Sequence, residues 1–210
     1  MHETPHPHDL LWGMTPAQLP ADAPEWTRQV LTAGQPVVVR RAVVMSGQVA
    51  VGVRGASRDQ RFASIMDVSS MLRCVSPEQL IEALPPSELP ALKALAAIKP
   101  ILDDLGRSWG VTGSVAYQLA TGLAVAHANS DLDLLLRSPT ALPRREARAL
   151  QQLLDGRQCR VDMQLETPSG AVALREWAGD ASRVLLKCSS GARLVGNPWG
   201  NPLDQAELAA

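Results

Sequence analysis

Asp131 and Asp133 flank Leu132 at the head of an apolar run, Leu132 to Leu136, of the kind that forms a strand. Strand side chains alternate between faces, so both carboxylates are expected to point the same way. Neighbouring carboxylates repel, and a divalent metal is the natural cation to offset that repulsion through oxygen ligands. A second alternating run, Arg160 to Glu166, carries Asp162 on its polar face. If the two strands are neighbours, three carboxylates meet at one site. Upstream, Gly113-Ser114 lies between a short apolar run and a helical segment, Val115 to Ala120. Glycine lets a backbone approach a ligand closely. The N-terminus of a helix favours an anion such as a triphosphate, and the Ser114 hydroxyl can donate to it. Gly113, Ser114, Asp131, Asp133 and Asp162 together describe metal-dependent phosphate transfer. One or two Mg²⁺ ions, about 3.5–4 Å apart if two, would bridge phosphate oxygens, activate a hydroxyl and stabilise a leaving diphosphate.

A second group of residues is cationic. Arg40, Arg41, Arg54, Arg58 and Arg61 fall within one short span beside two strand-like runs, Pro36 to Arg41 and Val49 to Gly55. They read equally as a solvated face and as a basic surface for phosphates or an acidic protein partner. On the second reading Arg54, Arg58 and Arg61 bind phosphate. His127, in the loop beyond the Gly-Ser helix, reads as a pocket-shaping or exposed residue ahead of a catalytic base. Trp12, Trp109, Trp177 and Trp199 read as packing residues ahead of a stacking surface.

These residues need a scaffold, and the chain supplies one of ordinary composition. It has 210 residues, 46% hydrophobic and 20% charged, with net charge −1. That balance implies no bulk attraction to nucleic acid or an anionic membrane. No run approaches the length of a membrane span, and the first residues lack the pattern of a signal peptide. Three widely spaced cysteines, Cys74, Cys159 and Cys188, match neither a disulfide framework nor a zinc motif and fit a cytoplasmic location. Prolines punctuate residues 1–30, which read as an irregular arm with Leu10, Leu11 and Trp12 as an apolar anchor. Ser76-Pro77-Glu78 opens a short helix running to about Leu84. Pro85-Pro86-Ser87 then marks a domain boundary. Helical spacing from Leu89 to Leu105 is expected to kink or divide at Pro100. Pro143 opens a helix over Arg144 to Leu154 with Gly156 as its C-cap. Ala171 to Ala178 reads as a short helix, and Val184 to Val195 as a hairpin. The class is α+β with two small domains: a β-rich unit over residues 1–86, and a unit over residues 87–210 with a mixed sheet flanked by helices.

The order Gly-Ser, acidic pair in a strand, third acid on the next strand resembles the nucleotidyltransferase superfamily. The gap from Ser114 to Asp131 is longer than its commonest spacing and calls for an enlarged loop over Gly122 to Asn129. Across nearly the whole chain the resemblance narrows. It covers Pro7 to Trp12, Val37 to Arg41, Val51 to Gly55 with Arg58 and Gln60-Arg61-Phe62, and Thr121-Gly122-Leu123. It continues through Ser130 to Leu134, Val161-Asp162, Glu166-Thr167-Pro168, Glu176-Trp177 and Asn197-Pro198-Trp199. These segments look like the phosphoribosyl-dephospho-CoA transferases that make the holo acyl carrier protein of malonate decarboxylase. The resemblance implies a nucleotidyltransferase-like second domain, with a first domain that binds donor or carrier. It implies a 2′-(5″-triphosphoribosyl)-3′-dephospho-CoA donor, a serine of the apo acyl carrier subunit as acceptor, and diphosphate as product. Asp131 and Asp133 would then ligate Mg²⁺ (or Mn²⁺), and Asp162 would complete the metal site and help deprotonate the serine. Gly113 and Ser114 would cradle the triphosphate. Arg137, Lys187 and Arg193 are weaker candidates for phosphate or carrier contacts. Two alternatives remain at this level: a nucleotidyltransferase using an ordinary nucleoside triphosphate on another protein or a small molecule, and a non-catalytic binding module of the same fold.

Overall fold

The computed structural model describes residues 4–57, 59–82 and 84–200. Alternating apolar and small residues build the first sheet from β1 (Leu10–Trp12), β2 (Val37–Val39), β3 (Gln48–Arg54), β4 (Arg61–Asp67) and β5 (Arg73–Val75). The strands run antiparallel in the order β4-β3-β2-β1-β5. Leu11, Val37, Val39, Val51, Val53 and Met66 form a core on one face, which α1 (Glu25–Thr32) covers. By strand alternation the other face carries Leu10, Val38, Gly52 and Arg54.

The second sheet is mixed, in the order β11-β10-β9-β8-β7-β6. Its strands are β6 (Trp109–Val111), β7 (Leu132–Arg137), β8 (Val161–Thr167), β9 (Gly170–Ala173), β10 (Val184–Cys188) and β11 (Gly191–Val195). β7 and β8 are parallel, because α4 (Arg144–Asp155) carries the chain back between them; the remaining pairs are antiparallel. Leu132, Leu134, Leu136, Val161, Met163 and Leu165 face a core shared with α2 (Pro90–Asp103) and α4. Burial of Leu150 and Leu154 from α4 contributes roughly 1.5–3 kcal/mol each. α3 (Gly113–Thr121) and α5 (Leu174–Ala178) complete the unit. The α+β, two-domain organisation expected from the sequence is the one observed.

Several local expectations are corrected. Residues 10–12 are an internal strand between β2 and β5, and a helix already begins at Glu25, so the N-terminal segment is no irregular arm. Leu10 and Leu11 do anchor it, being almost fully buried. Among the described residues from Ser76 to Leu84 the only helical element is a 3-10 turn at Gln79–Ile81. The Gln79 side chain accepts from the Ser76 N–H, and the Val111 N–H donates to Pro77 O, which holds this backbone along β6. Gly110 makes that approach feasible, since a Cβ there would lie 2.3 Å from the Pro77 carbonyl carbon. Pro100 does not divide α2. Pro100 and Ala96, whose carbonyl loses its donor, are both exposed to water, while Leu95, Ile98 and Leu102 are fully buried and hold the helix together. The first half of Ala171 to Ala178 is strand β9, folded back on β8 through the Thr167–Gly170 turn. Gly156 does cap α4, but at φ −82 rather than in the left-handed region.

The domains meet through the face of the first sheet that is turned away from its core. The Tyr117 hydroxyl on α3 donates to Pro36 O at 3.2 Å, and burial pushes the phenol up to about 12. Arg41 pairs with Glu166 on β8, and His8 Nε2 lies 3.9 Å from Glu166 Oε1. His8 has φ 78 in a turn after Pro7, where the Asp9 N–H donates to His6 O. Burial, reinforced by Arg41, Arg137 and Lys187, depresses His8 to about 4, so its contact with Glu166 at neutral pH is not an ion pair. The unfolded chain therefore takes up a proton near pH 6.5 that the folded protein refuses until about 4. Stability from this site is complete above pH 6.5 and is lost as pH falls toward 4, on the order of 3 kcal/mol. Asparagine tolerates positive φ, so His8→Asn should keep the turn. Thermal unfolding near neutral pH and near pH 4.5 should show a larger acid-induced loss in the wild type than in His8→Asn; equal losses would remove His8 from the acid response.

Candidate active site

β6 leads through Thr112 into α3, and the Thr112 N–H donates to Asp133 O on the neighbouring strand. Gly113 follows with φ 67, and a Cβ at this position would lie 2.0 Å from Asp133 Oδ2. Only glycine accommodates both the backbone conformation and the carboxylate packed against it. Parallel register places Asp133 directly opposite Asp162. Asp131 precedes β7 rather than lying inside it, so strand alternation does not set its direction, as the sequence pattern had implied. Arg160 Nε donates to Asp162, at 3.1 Å from Oδ1 and 2.9 Å from Oδ2. That hydrogen bond, then the Asp162 charge, raises the Arg160 pKa, and Asp131 and Asp133 add to the effect.

The first domain contributes cations from the end of a hairpin. Arg54 on β3 and Arg61 on β4 are direct cross-strand partners. The Arg54 guanidinium sits 5.4 Å from the centre of the Tyr117 ring, and its Nε is buried with no hydrogen-bond partner. Burial lowers the Arg54 pKa and Arg61 adds to this, while Tyr117 and Asp133 oppose it.

Arg54, Arg61, Gly113, Ser114, Asp131, Asp133, Asp162 and Arg160 all line one cavity of about 350 Å³, with Asn129 and Ser130 from the long loop. The structure thus brings together Gly113, Ser114, the three aspartates, Arg54 and Arg61, while several other sequence candidates lie elsewhere; Arg58 lies outside the described residues. His127 lines the cavity as an exposed loop residue whose Nδ1 accepts from the Asn129 N–H. Arg41, Arg137 and Arg193 line a different cavity of about 670 Å³ at the other end of β8, next to Glu166. Arg137 is engaged there by Glu78. Lys187 does not line the carboxylate cavity, and its charge helps to depress His8. No tryptophan lines the carboxylate cavity: Trp109 is buried and bonded to Asp103, and Trp177 and Trp199 pack edge to face. Arg160 is the residue that sequence reasoning missed. Its signal was its place two residues before Asp162 at the head of an alternating run, although β8 itself begins at Val161.

The donor set suits a hard divalent cation, because three carboxylates line one cavity beside the Asp133 cradle. Yet among the described residues no three His, Cys, Asp or Glu side chains stand close enough to hold an ion together, and Arg160 engages Asp162. The Asp133 cradle can be tested against an internal control. Gly122, the C-cap of α3, has φ 74 with nothing within 4 Å of an added Cβ. Gly122→Ala should cost about 1–2 kcal/mol in backbone strain alone. Gly113→Ala should cost clearly more in a denaturant titration, because it must also displace the Asp133 carboxylate. Equal losses would show that Asp133 yields freely.

Comparison with known proteins bears on this site. Residues 79–198 match the family model described as the phosphoribosyl-dephospho-CoA transferase MdcG C-terminal domain, and residues 6–77 match the corresponding N-terminal domain. A phosphoribosyl-dephospho-CoA transferase of Pseudomonas fluorescens Pf-5 is 60% identical over 95% of this chain and 96% of its own. One of Pseudomonas fluorescens Pf0-1 is 57% identical over 98% and 100%, and one of Azotobacter vinelandii is 56% identical over 95% and 98%. No solved structure matches the chain. With both domain models matched in order and relatives aligned over nearly their full length, the chain belongs to the phosphoribosyl-dephospho-CoA transferase family.

Proposed function

We propose that this protein transfers phosphoribosyl-dephospho-CoA from 2′-(5″-triphosphoribosyl)-3′-dephospho-CoA to a serine of the apo acyl carrier subunit of malonate decarboxylase, in the cytoplasm. The observation that carries the reading is the opposition of Asp133 and Asp162 in one cavity with Gly113-Ser114 at a helix N-terminus. The N–H groups at the start of α3, the Ser114 hydroxyl, Arg54 and Arg61 bind the triphosphate. The serine oxygen forms a bond to the phosphorus nearest the ribose, and the bond from that phosphorus to the diphosphate breaks. Asp162 helps to take up the serine proton, and the arginines hold the charge gathering on diphosphate. Asp131 and Asp133 would hold Mg²⁺, joined by Asp162 once Arg160 releases it. When bound, the ion would neutralise phosphate charge and lower the pKa of the attacking hydroxyl. The arginines of the first domain make both domains necessary to the site.

The test is intact-mass spectrometry of the apo carrier after incubation with this protein, the donor and Mg²⁺. A gain equal to the phosphoribosyl-dephospho-CoA group, abolished by EDTA, is expected. Asp133→Asn should lower the rate about 100-fold or more, the scale seen when one group stabilising transition-state charge is removed. Arg54→Ala should raise the donor KM roughly 10–100-fold through loss of one charged hydrogen bond. No mass gain from folded, donor-binding protein would move the acceptor elsewhere. An ordinary nucleoside triphosphate would then be the donor to test.

A further inference from the structure

A second cavity, of about 430 Å³, adjoins the carboxylate cavity and shares Arg54, Arg61 and Gly113 with it. Strand register lays out its floor: Leu10 opposes Val38, Val38 opposes Gly52, and Gly52 opposes Ala63. Directly opposed residues share a face, so these four form one apolar row across β1, β2, β3 and β4. Arg54 and Arg61 are the next opposed pair along the same hairpin and the same face. Ala116 of α3 lines the cavity from the other domain. Two of the floor residues are glycine and alanine, in strands where valine or isoleucine would pack better. The stem of Arg40 runs along the floor, since a Cβ on Gly52 would meet its Cδ at 3.1 Å. The outcome is one trough, apolar at one end, lined by arginine in the middle and by carboxylates at the other. A ligand that matches it along its length is a flat, weakly polar body joined to a polyphosphate.

We infer that this row is the floor of a nucleoside subsite, where the adenosine of the donor lies while its triphosphate reaches past Arg54 and Arg61 to Asp133. This rests on the transfer reading above. The ribose that carries the triphosphate is joined to the adenosine, so the adenosine stands nearer the reacting phosphates than the long flexible pantetheine arm and has a shape to lie on a flat floor. The His8 ring also lines the subsite. It is neutral at pH 7, and a neutral imidazole offers one donor and one acceptor, as does the edge of adenine.

The probe is 3′-dephospho-CoA, which carries the nucleoside but lacks the triphosphoribosyl group. Ala63 is exposed on edge strand β4, where an aromatic side chain suits a pleated surface. Ala63→Phe should weaken calorimetric binding of dephospho-CoA at least tenfold and raise the donor KM in proportion, with the carrier KM unchanged. Should the phenylalanine variant fail to fold, Gly52→Val fills the same floor by displacing only the flexible Arg40 stem and should show the same loss. Wild-type affinity in a folded filling variant, or no binding of dephospho-CoA by the wild type, would overturn the subsite even if transfer is observed. Absence of transfer to any carrier, together with binding that depends on Ala63, would leave the subsite standing and sink the transfer reading instead.

Discussion

Like charges gathered in one place govern this structure. Asp133 and Asp162 are held opposite each other by the parallel pairing of β7 and β8, and Asp131 joins them in the same cavity. Such a cluster persists only where cations offset its repulsion. Arg160 does so from just before the strand that carries Asp162, and Arg54 and Arg61 do so from the other domain. Much of the architecture keeps these partners in place. Gly113 brings the start of α3 against the Asp133 carboxylate, and Tyr117 on that helix both supports the Arg54 guanidinium and bonds to Pro36.

The same constraint explains why two domains are needed. Each sheet has a complete core on one face, so neither requires the other in order to bury its apolar side. What each leaves is a second face with a mixed population. On the first sheet this is an apolar row ending in two arginines; on the second it is Asp133 and Arg137 beside Asp162, Gln164 and Glu166. Opposing these faces pairs Arg41 with Glu166 and puts Arg54 in one cavity with Asp133. The apolar stretch between these charged contacts leaves the neutral, half-buried His8 and the cavity beside it. Charge complementarity at the ends, with small residues between, produces a cleft instead of a continuous core.

The regions where local pattern and structure disagree follow one rule. Ser76 to Leu84 has good helix-start chemistry, but its backbone is taken up by Gly110 and Val111 of a strand distant in sequence. Proline-rich residues 4–12 look irregular, yet Leu10 to Trp12 find two partner strands. β4 and β5 carried no strong signal of their own, since strand β4 is largely exposed and β5 has only three residues. In each case nonlocal backbone hydrogen bonds decided what local propensity did not, as short strands permit.

The amino-acid sequence alone determined the chemistry available: which acids, which Gly-Ser pair and which arginines, together with the α+β class and its two units. Period-two alternation and cap residues are local, so the strand carrying Asp133 and the helix after Ser114 were legible without any fold. Only tertiary structure decided which strands are neighbours and in what register. That register set Asp133 against Asp162 and turned four unremarkable residues, Leu10, Val38, Gly52 and Ala63, into one surface. A one-residue slip would send each of these side chains to the opposite face, and nothing within a single strand specifies its partner.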